Sequence, residues 1–244
     1  MKNNSQYKNM KSLEELFASL QGARVAVLGA GPTLDLSLDA LPGFDWYFCA
    51  DVLAPILHRE LPVEHSLYFS VEHRRHSYLK GLRNHHIAFY EKANEKNLSR
   101  FAKNSTYYFK LAGEIGQAPF TLISPGTVGG VAAGFALYLL HSKIIESVTL
   151  FGMDMAYLDL RIYSRLVTLG SQDRLQSFEN LELERVFKKT VEAESVRGEI
   201  IRRSAEMSLA AEKLQKLIAQ VDSEKVFSYS PVGPSGVILN PFKK

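Results

Sequence analysis

An α/β fold is what this sequence predicts: Rossmann-like, with a mostly parallel sheet flanked by helices and a C-terminal helical segment. Three observations lead there. Val25-Ala26-Val27-Leu28 is a short apolar run that ends at Gly29-Ala30-Gly31-Pro32-Thr33-Leu34-Asp35. Such a run, bounded by glycines, reads as a buried strand entering a tight turn. Apolar runs of this kind alternate with helical segments along the chain, which implies crossover units and a mostly parallel sheet. A second strand runs into Ser124-Pro125-Gly126-Thr127-Val128-Gly129-Gly130, and the helix opened there carries Ala132, Ala133, Gly134 and Ala136, small enough to lie close on a sheet.

The elements follow in order. Ser12 suits the N-cap of a short amphipathic helix over 12–20, with Leu13, Leu16, Phe17 and Leu20 on one side. Strand 24–28 comes next, then Trp46–Ala50, ending at Asp51, which can cap a helix running to about His58. Leu67–Val71 is a third strand, ending at Glu72. Short strands are expected at 86–90, 106–109 and 120–123, followed by the small-residue helix from Thr127 to Leu140. Val148–Phe151 is a strand leading into Gly152-Met153-Asp154. Residues 172–222 read as strongly helical, two helices interrupted near Gly198. Their apolar positions suit either a cap packed on the sheet or a contact between copies of the chain, so a homo-oligomer is one expectation. A last strand, Lys225–Tyr229, precedes the turn-rich Pro231–Gly236 segment, which borders the site without an assigned role. The 244 residues form a single α/β domain in this reading, with a nucleotide-binding core at 24–160, a helical cap at 172–222 and a returning strand at 225–238.

Bulk properties narrow the function. A hydrophobic fraction of 46% and a charged fraction of 23% are ordinary for a globular protein. The net charge of +3 is too small to argue for a nucleic-acid partner. The longest apolar stretch, about Val128–Leu140, falls short of the ~20 residues a membrane span needs. Met1–Lys11 is polar and no apolar signal region follows, so no secretory signal is expected. The single cysteine, Cys49, allows no internal disulfide and suits a reducing cytoplasm; in its apolar strand it reads as core packing.

Parallel sheets bind ligands beyond the carboxyl ends of their strands, near the switch in strand order. The segments in those places are Gly29–Asp35, Asp51, Glu72–His76, Ser124–Gly130 and Gly152–Tyr157, all predicted on one rim. A glycine turn opening a helix offers unpaired N–H groups and a positive dipole end, which suits a phosphate. Pro32 fits the first helical turn, where its missing N–H costs nothing. Gly29 and Gly31 match the first two glycines of G-x-G-x-x-G, but Leu34 stands at the third, which argues against a standard NAD site and leaves a mononucleotide open. A purely structural turn is the alternative. Gly29, Gly31, Pro32 and Thr33 are thus candidates for a donor phosphate, and Ser124, Gly126 and Thr127 for a second anion or sugar position. Asp51 and Asp154 suit a ribose or base; Asp154, after Gly152, could equally serve a metal, an acceptor hydroxyl or a helix N-cap.

Most of the histidines, from His58 to His86, fall in one region. His73 and His76 at i, i+3 would share a helix face, yet Glu72 and Glu64 stand at no fixed ligand offset, and no metal site is assigned. His73, Arg74, Arg75, His76, Lys80 and Arg83 make a basic surface. It is either a solvated face or a place where Arg74 and Arg75 fork onto an anionic group. His73, Asp154 and Tyr157 are the candidates for general base.

Taken together, Gly29–Asp35, Asp51, Gly126-Thr127-Val128-Gly129-Gly130 and Gly152–Tyr157 resemble the MptE-like family. It includes archaeal 6-hydroxymethyl-7,8-dihydropterin pyrophosphokinases and the central domain of motility-associated (Maf) glycosyltransferases. The order of motifs is also similar to that of bacterial sialyltransferases. The resemblance covers roughly 24–160 and, more weakly, 225–238. It implies a Rossmann-like fold and nucleotide-dependent group transfer. Where the pyrophosphokinases carry an Asp-rich strand end for Mg²⁺ and ATP, this chain reads Ser70-Val71-Glu72-His73. Metal neutralisation of phosphate charge is central to phosphoryl transfer, so the resemblance favours a glycosyltransferase with a CMP-linked nonulosonate donor, which needs no metal. The sialyltransferases have a histidine soon after Gly-x-Asp; residues 158–170 have none, and Tyr157, Asp159 and Tyr163 stand there instead. A protein or glycan acceptor is implied. An ATP-dependent pterin pyrophosphokinase and a non-catalytic nucleotide-binding module are the other readings.

Overall fold

A computed structural model describes residues 12–71, 78–79, 81–93, 100–101, 104–114, 116, 118, 120–157, 164, 190–194, 200–233 and 237–239. In chain order the elements are α1 (Leu13–Ser19), β1 (Arg24–Leu28), β2 (Trp46–Ala50), α2 (Ala54–Leu57), β3 (Ser66–Ser70), β4 (His86–Tyr90), β5 (Ser105–Leu111), β6 (Phe120–Leu122), α3 (Val128–His141), β7 (Ser147–Phe151), β8 (Thr190–Glu194), β9 (Ile200–Ser204), α4 (Ala205–Ile218), β10 (Val226–Ser228) and β11 (Ile238–Leu239). Nine strands form one sheet in the order β11-β10-β7-β1-β2-β3-β4-β5-β6, with every pairing parallel. The α/β Rossmann-like class expected from sequence is the one observed.

Strand alternation explains why the central runs are apolar throughout. Val25 and Val27 face one core with Trp46, Phe48, Leu67 and Phe69. Ala26 and Leu28 face the other with Tyr47, Cys49 and Tyr68. Side chains on a strand point alternately up and down, so a strand covered on both faces has no position left for water. Cys49 is fully buried, as its setting implied, and burial pushes its thiol up.

Helix α3 crosses back from the edge strand β6 and lies over β1, β2, β3 and β7. Ala132, Ala133 and Ala136 are fully buried beneath it. Thr127 is its N-cap, accepting from the Gly130 N–H at 2.9 Å. Ser12 caps α1 in the same way, accepting from Glu14 N–H at 3.1 Å. The helix expected after Asp51 is shorter than foreseen: a 3₁₀ turn at Asp51–Leu53 leads into α2, which ends at Leu57.

The C-terminal region departs from its sequence reading. Thr190–Glu194 and Ile200–Ser204 pair as an antiparallel hairpin, where a helix was expected. Gly198, the expected interruption, lies outside the described residues. Only α4 within 172–222 is helical among the described residues, burying Ala210, Ala211, Leu214 and Ile218 against α3. The Glu, Ala and Arg content of 190–204 favours helix locally, and strand pairing overrides it. No helix among the described residues is long and apolar enough to cross a membrane.

Candidate functional site at the switch in strand order

The chain leaves β1 in one direction and returns to its other side at β7, so the strand order switches between them. β1 and β7 are in register at Leu28↔Phe151, and β10 lies beyond β7 at Ser228↔Leu150. The segments after these three strands therefore emerge side by side. Gly29 N–H donates to the Phe151 carbonyl and Gly31 N–H to the Gly152 carbonyl, each at 2.8 Å. The ladder thus continues past the strands. A Cβ on Gly29 would stand 2.5 Å from Gly152 O, and one on Gly31 2.5 Å from Asp154 Oδ2. Gly152 turns at φ +57°, the left-handed region that favours glycine.

Asp154 fills this turn. It is 1% exposed. The Thr33 N–H donates to Oδ2 at 2.7 Å, and the hydroxyls of Thr33 and Ser230 both donate to Oδ1. Burial pushes its carboxyl above the usual carboxylate range, while the Ser230 and Thr33 hydrogen bonds pull the other way. The expectation of bare amides at Gly29, Gly31 and Thr33 is corrected here. All three N–H groups have protein acceptors, and the anion in the turn is the chain's own carboxylate. Pro32 takes the first position of a short 3₁₀ helix, Pro32–Leu36, and Leu34, at the site of the missing third glycine, is fully buried.

The second glycine turn reaches the same place. A Cβ on Gly129 would lie 3.0 Å from Met153 Sδ and 3.3 Å from Gly29 Cα. The start of α3 therefore abuts the turns after β1 and β7. Ser124 Oγ accepts from Gly126 N–H at 3.2 Å, and Gly126 and Thr127 are exposed. Asp51 sits at the end of β2, 4% exposed, and accepts from the Ser70 hydroxyl at 2.7 Å. Tyr157 is partly exposed, and its N–H donates to the Arg202 carbonyl of β9 at 2.9 Å. Glu72, His73, Arg74, Arg75 and His76 lie outside the described residues.

Two participants escaped the sequence reading. Ser230 holds Asp154 from the β10 side; its signal was the Ser228-Tyr229-Ser230 strand end before the Pro/Gly turn. Arg203, 9% exposed, donates from Nη2 to the Val232 carbonyl at 2.9 Å. It was hidden inside the stretch read as helix. Among the described residues no group of three His, Cys, Asp or Glu side chains is arranged to hold a metal ion.

No family model and no curated protein sequence matches the chain. Its fold is similar to that of the MAf glycosyltransferase from Magnetospirillum magneticum AMB-1. The two align with a TM-score of 0.60 and 14% sequence identity over 96% of this chain. The aligned part is 37% of that longer protein, so the chain spans well under half of its structural neighbour. At this identity the likeness establishes a common architecture, and function has to be argued from the site.

Proposed function

We propose that the chain is a glycosyltransferase that takes a nucleotide-activated sugar, of the CMP-linked nonulosonate kind, at the carboxyl-end rim. One observation carries this reading. The two glycine turns and the exposed residues before α3 converge at the switch in strand order, in an architecture similar to that of the MAf glycosyltransferase from Magnetospirillum magneticum AMB-1. Because Asp154 occupies the turn after β1, the donor lies over the rim rather than inside that turn. Its phosphate faces Ser124, Gly126 and Thr127 at the start of α3. Gly29, Gly31, Pro32, Thr33 and Gly152 shape the floor beneath it. Asp51 receives a ribose hydroxyl. Asp154, with both oxygens engaged, is a positioning residue that fixes Thr33 and Ser230. The proton from the acceptor hydroxyl goes to His73 or Tyr157, and Glu72, Arg74 and Arg75 belong to the donor-binding set. The acceptor is a protein or a glycan.

Isothermal titration with CMP and with ATP, with and without Mg²⁺, tests the reading. CMP binding without metal is expected, weakened at least tenfold in Thr127→Asp. Asp keeps the N-cap function but sets a negative charge where the phosphate would lie. Binding of ATP alone, and only with Mg²⁺, overturns the proposal in favour of a pterin pyrophosphokinase. Tight binding with no turnover on any acceptor points to a non-catalytic nucleotide-binding module.

A further inference from the structure

Arg203 stands on β9, two residues before α4 begins. Its Nη2 is held by the Val232 carbonyl, while its Nε is buried and has no acceptor among the described residues. No carboxylate pairs with it among the described residues. Burial disfavours its charge, yet a guanidinium does not give up its proton in a protein. A cation taken out of water without a counter-charge is costly, and such a cost persists where a ligand supplies the missing anion.

The surroundings place Arg203 on the rim. Val232 lies two residues beyond Ser230, whose hydroxyl is bound to Asp154. A Cβ on Gly233 would stand 3.1 Å from the Met153 carbonyl, so this loop rests on the turn after β7. β9 is tied to the same turn through the Tyr157 N–H. A Cβ on Gly126 would be 3.8 Å from Ala210 Cβ, so the turn before α3 lies against α4. The helix that opens just after Arg203 adds the positive end of its dipole, capped by Ser204 at Met207 N–H.

We propose that Arg203 is the oxyanion receptor of this rim, its guanidinium binding a phosphate or a sugar carboxylate. As a donor contact it rests on the glycosyltransferase reading; as an oxyanion site it stands without it. Nε–H and the adjacent Nη–H form one edge of the planar fork, the edge that matches two oxygens of a carboxylate or phosphate.

Differential scanning calorimetry of the full chain tests this, wild type beside Arg203→Met, in chloride buffer and then with inorganic phosphate, CMP or CMP-N-acetylneuraminate. Without ligand, Arg203→Met is expected to melt at or above wild type, since an uncompensated buried charge has been removed. A drop of several degrees would make Arg203 a structural strut and count against the proposal. With ligand, the wild-type midpoint rises and the variant's does not. Loss of the rise with phosphate and CMP assigns the phosphate; loss with the carboxylate-bearing donor alone assigns the carboxylate. A wild type that responds to phosphate and to neither cytidine compound sinks the donor reading and leaves the oxyanion site standing. A wild type that responds to none of the three, or a variant that responds as wild type does, overturns Arg203. Arg203→Lys keeps the charge and withdraws the fork; it is expected to fold as wild type does and to weaken binding at least tenfold.

Discussion

Asp154 joins three strand ends through one side chain: Thr33 after β1, Ser230 after β10, and its own position after β7. Asp154→Ala leaves the Thr33 N–H without an acceptor in a buried place, and an orphaned donor of this kind costs roughly 1–3 kcal/mol. Loss of the carboxylate's packing adds to it, so urea denaturation is expected to show a fall of about 3 kcal/mol. Asp154→Asn can still accept from Thr33 N–H and turn its amide to the two hydroxyls, and is expected to cost about 1 kcal/mol at acid pH. The raised carboxyl gives the pH dependence a sign. The folded state holds its proton to higher pH than the unfolded chain, so the stability tied to that proton is complete below about pH 4 and fades as pH rises through the folded value. The Asn variant lacks this decline and should gain on wild type from acid towards neutral pH, read as urea midpoints. Cys49 offers a second check at this scale. Fully buried with its thiol pushed up, it should resist a disulfide reagent in the native protein and react rapidly in denaturant.

Helix α3 links the core to the rim. Its alanines let it sit close on four strands, and its capped start follows the turn at Ser124–Thr127, where Gly126 and Thr127 are exposed. Thr127→Ala should destabilise by about 1 kcal/mol, while Thr127→Ser keeps the cap and should change urea stability by a few tenths. This helix was legible in the sequence because both of its signals are local: a hydroxyl three residues before its partner N–H, and small side chains along a buried face. The β8–β9 hairpin was not. Its strands carry Glu192, Glu194, Arg202 and Arg203, residues at home in exposed helices, and what makes them strands is each other. Arg203 went unnoticed for that reason. On a helix it would be one of several surface cations; in strand register opposite Val191 it is buried against the loop after β10.

At the scale of the whole molecule, two cores lie on opposite faces of one sheet. Phe48 is fully buried, its ring 5.4 Å from that of Phe135 on α3. Phe48→Ala is expected to cost roughly 3–5 kcal/mol. Circular dichroism and tryptophan fluorescence should both report its unfolding as one shifted transition, since Trp46 belongs to the same strand and the same core. The sequence by itself determined strands β1 to β7 and β10 of the main sheet, their parallel arrangement and the two glycine turns that follow β1 and β6. These follow from local chemistry: apolar runs of strand length, glycines at strand ends and a capping hydroxyl, all short-range along the chain. Tertiary structure alone decided what fills the first turn. Asp154 is 121 residues from Thr33 and 76 from Ser230, and no local pattern announces that a carboxylate so distant will take the amide and both hydroxyls. It decided likewise that Arg203 is buried with no counter-charge among the described residues, because burial belongs to a position in the folded molecule and not to a residue in the chain.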